Sequence, residues 1–179
     1  MRHRLRAVTS LGAVLLLGAS APAWAANPAT ISVTVTIQSL SVSATGPIAF
    51  GTVVSSSETV SGSGSTVTND GNVTETYSLS LTNPASWTAV QAAPSAAEEY
   101  ALSAQFNSSA PTAASFSYAN HALSTTSVAS SGTKFAGNQT GLSVAASGTR
   151  TLWFRFNAPT STAVTTQQSI TVTVTAAAG

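Results

Sequence analysis

The sequence predicts an all-β protein, and three observations support this class. After residue 25 the apolar residues recur at every second position in short segments, beginning with Ile-Ser-Val-Thr-Val-Thr-Ile at residues 31–37. Glycine, proline, asparagine and aspartate separate these segments. After residue 25, no segment longer than about ten residues carries a 3.6-residue apolar stripe. We therefore expect a single antiparallel β-sandwich, of jelly-roll or immunoglobulin-like type, which the pattern alone does not separate.

The first half of the chain predicts three strands and one strong turn. Residues 31–42 alternate β-branched and hydroxyl side chains, and residues 48–53 form a short strand punctuated by glycine. Residues 58–68 are mostly serine, threonine and glycine, which favours a weak strand at a sheet edge. The tetrapeptide Asn-Asp-Gly-Asn at 69–72 is a turn signal because these residues tolerate positive φ.

The second half predicts one central strand and several shorter ones. Residues 73–81 are expected in a sheet centre, with Tyr77, Leu79 and Leu81 facing inward. Further strands are predicted at 87–90, 100–106, 149–157 and 168–175, and a single helical turn at 92–99. The serine- and alanine-rich stretch 107–148 is expected to hold long loops with two or three short strands.

The N-terminus has the three regions of a secretory signal peptide. Arg2, Arg4 and Arg6 form a basic region, residues 11–17 are apolar, and Ala-Trp-Ala at 23–25 is a small-x-small cleavage site. The apolar run is shorter than the roughly 20 residues that span a bilayer. We expect cleavage after Ala25, a mature domain at 26–179 without membrane insertion, and a secreted protein that is extracellular or on the cell surface.

Charge and cysteine content exclude several classes of function. Removal of the leader leaves three basic residues against five acidic ones, a net charge of −2. A basic nucleic-acid-binding surface is therefore not expected. The chain has no cysteine, so an exported domain of about 150 residues must be held together by its core, its sheets or assembly with other copies.

The inventory of reactive side chains predicts no enzyme, no cofactor and no metal site. His121 and Asp70 are the sole mature histidine and aspartate, and no nucleophile elbow accompanies them. Glu98 and Glu99 are adjacent, so on a strand their carboxylates point to opposite faces. Oxygen ligands for Ca²⁺ are offered around the turn at 69–72 and by Glu75, but without the spacing of an EF-hand.

Two residues of the predicted strand 149–157 are candidates for a ligand or subunit contact. Trp153 and Arg155 face away from Leu152, Phe154 and Phe156. An outward tryptophan beside an arginine can stack on a sugar ring, or it can cover the second face of a sandwich. These residues support the alternative function of a cell-surface adhesin or carbohydrate-binding module whose partner is a surface polysaccharide.

The N-terminal strand, within residues 30–42, is the candidate for assembly. Ile31, Val33, Val35 and Ile37 present four β-branched side chains on one face, as a strand that fills an apolar groove does. The closing strand 168–175 has a matching alternation. The two strands can pair within one monomer or between monomers, and no lysine blunts either edge.

The order of these elements resembles a known family. The leader, the alternating N-terminal strand, Phe-Gly-Thr-Val at 50–53, Val-Thr-Asn-Asp-Gly-Asn at 67–72 and the strand containing Tyr77 resemble TasA/camelysin-like fibre subunits and archaeal bundling pilins, and also immunoglobulin-like surface domains. The resemblance implies that the N-terminal strand of one jelly-roll subunit completes the next, with Ile31, Val33, Val35 and Ile37 as donor residues. We therefore expect a structural subunit of an extracellular filament, pilus or biofilm matrix that associates with itself.

Overall fold

The computed structural model describes residues 28–179 and shows an all-β protein, as the sequence predicts. Its strands are β1 (Val42–Ala44), β2 (Glu58–Val60), β3 (Ser65–Asn69), β4 (Glu75–Thr82), β5 (Thr88–Ala89), β6 (Glu99–Phe106), β7 (Val128–Ala129), β8 (Thr149–Asn157) and β9 (Thr171–Ala178). The helical elements are a 3₁₀ turn (Ala113–Ser115) and α1 (Tyr118–His121). No helix in the described part of the chain is long and apolar enough to cross a membrane. The predicted signal peptide, residues 1–25, lies outside the described residues.

The strands form two sheets, and all of them lie in the compact unit formed by residues 36–179. The larger sheet has the order β1-β3-β8-β6-β5, with β2 also paired to β8. The smaller sheet has the order β7-β4-β9. All pairs are antiparallel except the two-residue pair of β5 and β6, which is parallel. Residues 28–35 belong to a separate unit and carry no strand or helix.

One apolar core lies between the two sheets. The smaller sheet contributes Tyr77, Leu79 and Leu81, which are almost fully buried, so the prediction that these three face inward is confirmed. The larger sheet contributes alternate residues of two strands to the same core: Tyr100, Leu102, Ala104 and Phe106 from β6, and Leu152, Phe154 and Phe156 from β8. The rings of Tyr77 and Phe106 meet across the core with centroids 6.1 Å apart. The period-two alternation therefore predicts correctly which residues of these strands face the core.

One predicted strand is shortened to its end, and another is absent. Residues 31–41 have no strand partner, so the strand predicted at 31–42 is reduced to β1, and residues 48–53 form no strand. An alternating segment has the side chains of a strand, but its backbone becomes one only beside a second strand that accepts its hydrogen bonds. The helical turn predicted at 92–99 is also absent.

The polar segment at 58–68 differs from the prediction of one edge strand. The structure breaks it into β2 and β3 around two glycines, and a Cβ added to Gly64 would lie 3.0 Å from the Trp153 ring. β3 is not an edge strand, because it pairs with β1 on one side and β8 on the other. Its Val67 is fully buried. Thr66 and Thr68 on the solvent face, and the polar but buried Ser65, made this strand look more exposed than it is.

The long segment 107–148 covers sheet edges on one side of the molecule. Leu123 donates its amide to Leu102, and Phe106 donates its amide to Phe135, so the segment follows the outer edge of β6. The outer edge of β4 pairs with β7 and also forms backbone hydrogen bonds with residues 124, 130, 141 and 144. On this side of the molecule both sheets are therefore capped.

Two buried tyrosines provide a test of this core. The Tyr77 hydroxyl is buried without a partner, and burial, with the nearby Glu75 carboxylate, raises its pKa to about 12. The Tyr100 hydroxyl donates to Asn83 Oδ1 at 3.0 Å. Since an unpaired buried hydroxyl costs free energy and a paired one contributes about 0.5–1.5 kcal/mol, we expect Tyr77→Phe to preserve or raise the unfolding free energy and Tyr100→Phe to lower it by about 1 kcal/mol.

Urea unfolding of the two variants and the wild type measures this difference directly. A larger loss in Tyr77→Phe than in Tyr100→Phe would contradict the assignment, because it would mean that the Tyr77 hydroxyl has a stabilising partner.

Candidate functional site

The four residues predicted for strand donation are exposed. The exposed fractions of Ile31, Val33, Val35 and Ile37 lie between 79% and 88%. We call residues 31–37 the arm. Fully burying a side chain of this type is worth about 1.5–3 kcal/mol relative to leaving it in water. Among the described residues of one copy, 28–179, the arm is therefore an apolar row that is left exposed.

Strand β9 has an open edge. It pairs with β4 along its whole length, from Thr171 opposite Thr82 to Ala178 opposite Glu75. Within residues 28–179 no strand pairs with its other edge. The N–H and C=O groups on that edge therefore have the geometry of a template for one more strand.

The inward face of β9 is also incompletely covered. Val172, Val174 and Ala176 face the core but are only partly buried, whereas the corresponding residues of β4 are buried. Thr171, Thr173 and Thr175 on the opposite face are exposed. The difference between two adjacent strands of one sheet shows that the core is unfilled beside β9.

An open cavity of about 1010 Å³ lies beside this strand, and we call it the groove. Its floor is apolar and includes Leu102, Leu152 and Phe156. Its lining also includes residues 44–53, residues 164–170, Val172 and Val174. Stacking of Trp87 on Phe156, with centroids 5.9 Å apart, gives one part of the lining a fixed aromatic surface. A groove with an apolar floor and an open strand edge is suited to an apolar strand.

A glutamate fastens the loop beside the groove. Glu98 accepts hydrogen bonds from the Thr162 hydroxyl and the Ala163 amide, both at 2.7 Å. The Thr162 hydroxyl also lies 3.3 Å from Trp87 Nε1. Chiefly because of the Thr162 hydrogen bond, and secondly that of Ala163, the pKa of Glu98 is lowered from its usual value of 4.5. The ionised carboxylate thus holds the start of the segment that lines the groove.

The turn at 69–72 holds the residues that join the arm to β1. Asn72 accepts the Ser39 amide through Oδ1 and donates Nδ2 to the Ile37 carbonyl, both at 2.8 Å. Its own amide donates to the Ser39 carbonyl at 3.1 Å. The amide of Asp70 donates to the Ser41 carbonyl at 2.8 Å. We call this set of hydrogen bonds the clamp.

A buried carboxylate and a glycine complete the clamp. Glu75 has no solvent exposure, and its Oε1 accepts the Ser41 amide at 2.7 Å. A Cβ added to Gly71 would lie 2.5 Å from both Glu75 Oε1 and the Ser39 carbonyl oxygen. Only glycine permits that approach. The sequence identified 69–72 as a turn, but the pairing of Asn72 with Ile37 and Ser39 has no signal in the alternation pattern.

Three of the side-chain oxygens considered for Ca²⁺ accept hydrogen bonds in this network, whereas Glu75 Oε2 is buried without a partner. Asn69 Oδ1 accepts the Gly71 amide at 2.8 Å, and its Nδ2 donates to the carbonyls of Val73 and Val144. Asn72 Oδ1 and Glu75 Oε1 accept the backbone amides described above. Among the described residues there is no group of three histidine, cysteine, aspartate or glutamate side chains able to hold a metal ion. Asn69, Asn72 and Glu75 therefore bind backbone groups of the chain itself.

Trp153 and Arg155 lie on the outer face of the larger sheet, under the segment 107–148. Trp153 is partly buried, and its Nε1 donates to the Asn107 carbonyl at 2.9 Å. Arg155 is 5% exposed, and its guanidinium carbon lies 4.7 Å from the Tyr118 ring centroid. Its Nη1 forms an ion pair with Glu58 Oε2 at 3.7 Å. Both side chains thus contact the chain itself.

His121 is buried in the same covering segment. Its Nδ1 accepts the Ser117 amide at 2.8 Å, and Nε2 lies 3.1 Å from the Ala136 carbonyl. Desolvation by burial lowers its pKa, and the nearby charges of Arg155 and Lys134 act in the same direction. Asp70 is exposed at the clamp. Both ring nitrogens of His121 are therefore used by the backbone.

Comparison with known proteins finds no relative whose function could be compared with that of this chain. No protein-family model, curated protein or solved structure gives a significant match to this chain. The arm, the groove and the clamp therefore have to be interpreted from their own geometry.

The clamp predicts a local effect of Asn72. In Asn72→Ala the Ser39 amide loses its acceptor, a bond worth about 0.5–1.5 kcal/mol, so hydrogen exchange at Ser39 should accelerate by about tenfold. Asp70→Ala is the matched control, since Asp70 contributes to the clamp through its backbone amide. Exchange measured by NMR tests the pair, and equal rates at Ser39 in both variants would contradict the role of the Asn72 side chain.

The loop beside the groove predicts a pH effect. A carboxyl whose folded-state pKa is lowered contributes stability above its unfolded pKa and loses it as pH falls through the folded value. The hydrogen bonds from Thr162 and Ala163 should therefore persist at neutral pH and weaken only below the usual range of glutamate. In Thr162→Val the pKa of Glu98 should rise toward its usual value of 4.5. An NMR titration of the Glu98 carboxyl in both proteins measures the shift, and coincident curves would contradict the assignment.

Proposed function

We propose that this chain is an exported structural subunit of an extracellular filament, pilus or matrix. In this proposal the two sheets form a single antiparallel sandwich that lacks a strand beside β9. The arm of a second copy supplies that strand. The observation that carries the proposal is the coexistence, in one chain, of an exposed apolar row and a groove that has an apolar floor and an open strand edge.

The two surfaces match in length and pattern. The arm has seven residues and β9 has eight, which at about 3.4 Å per residue correspond to strands of similar length. Alternation in the arm places its four apolar side chains on one face and its three hydroxyl residues on the other. Inserted beside β9, the arm would direct the apolar face into the groove and its hydroxyls to the solvent side, as β9 does.

The free energies of burial and association indicate that the whole arm is needed for assembly. Burial of four β-branched side chains contributes about 6–12 kcal/mol, while association costs about 4–15 kcal/mol. The apolar term alone therefore does not guarantee assembly. Backbone hydrogen bonds to β9, about one per residue and each worth about 0.5–1.5 kcal/mol, add the remainder.

Absence of charge on both strands favours pairing between copies. Neither the arm nor β9 contains a charged residue, although charged residues are the usual means by which proteins prevent pairing at exposed strand edges. The predicted signal peptide and the resemblance to TasA/camelysin-like fibre subunits are consistent with assembly outside the cell.

Assembly can be tested with two double variants of equal charge. Val33→Asp with Val35→Asp places carboxylates in the groove and should abolish polymers of the chain from Ala26. Ser32→Asp with Thr34→Asp places the same charges on the solvent face and should leave polymers in place. Light scattering after size-exclusion chromatography and negative-stain electron microscopy provide the measurement. A wild type that stays monomeric at high concentration would refute the proposal.

A shortened chain provides an independent test on the groove. A protein that begins at Ile37 keeps the clamp and the groove but lacks most of the arm. It should therefore accept an arm and donate none, and titrating it into the wild type should shorten the polymers with increasing dose. Polymers of unchanged length would show that the groove does not receive the arm.

A further inference from the structure

We infer that a calcium ion binds at the clamp, held by the carboxylate of Glu75 together with oxygens that converge beside Gly71. All of these groups belong to one copy of the chain, so the inference does not depend on the proposed function. It departs from the expectation drawn from the sequence, in which the turn at 69–72 offered oxygen ligands but no metal site was predicted.

Glu75 is a buried carboxylate without a cationic partner. It has no solvent exposure, and it is the one buried acidic residue among residues 28–179. The ion pair found within those residues joins Arg155 to Glu58 and does not include Glu75. Buried charges in proteins are paired or coordinate metals, because an isolated charge is costly to remove from water. Glu75 therefore needs a counter-charge.

The hydrogen bonds of Glu75 satisfy one of its two oxygens. Oε1 accepts the Ser41 amide at 2.7 Å, whereas Oε2 is buried and has no hydrogen-bond partner. An ionised carboxylate offers about four lone-pair sites, so most of its capacity as an acceptor is unused. A cation beside the carboxylate would engage this capacity and neutralise the charge at the same time.

Three oxygens from separate parts of the chain converge beside the Cα of Gly71. The point that a Cβ would occupy there lies 2.5 Å from Glu75 Oε1, 2.5 Å from the Ser39 carbonyl oxygen and 3.1 Å from Asn69 Oδ1. Each of these oxygens accepts one backbone amide and retains a further lone pair. Because glycine has no side chain, an ion next to this residue could contact all three oxygens.

The charge around the clamp is negative. Asp70 precedes Gly71 and adds an exposed carboxylate to the turn. Burial, followed by the Glu75 carboxylate, raises the pKa of Tyr77 to about 12. Asp70 acts on this pKa in the same direction and Arg150 in the opposite one. Two negative charges and one positive charge therefore act on this end of the core, which favours a bound cation.

The donor set favours Ca²⁺ over other cations. Its members are all oxygens, from a carboxylate, an amide and a backbone carbonyl, and Ca²⁺ takes about six to eight such oxygens in a flexible geometry. Mg²⁺ requires a nearly ideal octahedron. Within residues 28–179 no three histidine, cysteine, aspartate or glutamate side chains gather at one place. Most ligands would therefore be neutral, and we expect weak binding, with a Kd of about 10⁻⁴–10⁻³ M.

The size of the ion explains why water does not fill the same role. Glu75 Oε2 is closed to water. Distances between Ca²⁺ and its oxygen ligands are about 2.3–2.6 Å, shorter than the roughly 2.7–2.8 Å between hydrogen-bonded oxygens. A space too narrow for a water molecule can therefore hold this ion, whereas Asp70 and solvent lie on the exposed side and can complete the coordination.

Equilibrium dialysis with radioactive calcium tests the inference on the chain from Ala26, in about 0.15 M NaCl to screen surface charge. We expect saturable binding of one Ca²⁺ per chain. Glu75→Gln retains an acceptor for the Ser41 amide but removes the charge, so it should weaken binding by at least about tenfold. Glu99→Gln is the matched control, because β6 begins near the Asn157 end of β8 and the clamp lies near the Thr149 end. This variant should bind as the wild type does.

Terbium luminescence locates the ion without altering its ligands. Tb³⁺ replaces Ca²⁺ at oxygen sites and emits when a nearby tyrosine is excited. Tyr77 lies two residues from Glu75 on the same face of β4. We expect Ca²⁺ to displace the bound Tb³⁺, and most of the tyrosine-excited emission to be lost in Tyr77→Phe but kept in Tyr100→Phe. This measurement decides the question if Glu75→Gln does not fold.

Two results would overturn the inference. Absence of saturable Ca²⁺ binding at concentrations well above the expected Kd would leave Glu75 as a neutral carboxyl group. Equal binding in Glu75→Gln and the wild type, or unchanged Tb³⁺ emission in Tyr77→Phe, would place the ion elsewhere. Both measurements count ions per chain, in polymers and in monomers alike. Their failure would leave the proposed function standing, and a chain that does not polymerise would leave the calcium site standing.

Discussion

The structure depends on one constraint, which is that a strand edge beside the core exposes backbone groups and apolar side chains unless it is paired or covered. On one side the segment 107–148 meets this requirement for both sheets, with backbone hydrogen bonds to β4 and β6. On the other side β9 has no second partner among residues 28–179, and its inward valines remain partly exposed. The groove is the space that a strand would occupy there, and its apolar floor is part of the main core. An added strand would therefore extend the same hydrophobic core.

The sequence predicts the fold best where a strand is paired within one chain. Period-two alternation identifies 149–157 with the bounds of β8, and it places the inward residues of β4 and β6. It fails at 31–41 and 48–53, because alternation reports which faces a strand would have and not whether a neighbouring strand exists. For β3 it underestimates burial, because its exposed threonines mask the buried Val67. The cover formed by 107–148 rests on long-range backbone hydrogen bonds, which leave no periodic pattern.

Prediction from the sequence has the same limit at the candidate site. The arm residues and the matching alternation of the closing strand are visible in the sequence, since both are apolar rows. The groove is lined by residues 44–53 and 164–170, which are far apart in the sequence. The clamp depends on one amide side chain that binds two backbone groups more than thirty residues away. The tetrapeptide at 69–72 predicts a turn through its conformational preferences. Which backbone it holds is decided by the tertiary fold.

The clamp and the arm have separate roles in the proposed assembly. The four apolar side chains of the arm would supply the affinity for a second copy. The clamp binds the Ile37 carbonyl and the amides of Ser39 and Ser41, so it fixes the point at which the arm leaves the domain. In the proposal, burial of the arm would therefore determine how strongly two copies associate, and the hydrogen bonds of the clamp would determine where each arm starts.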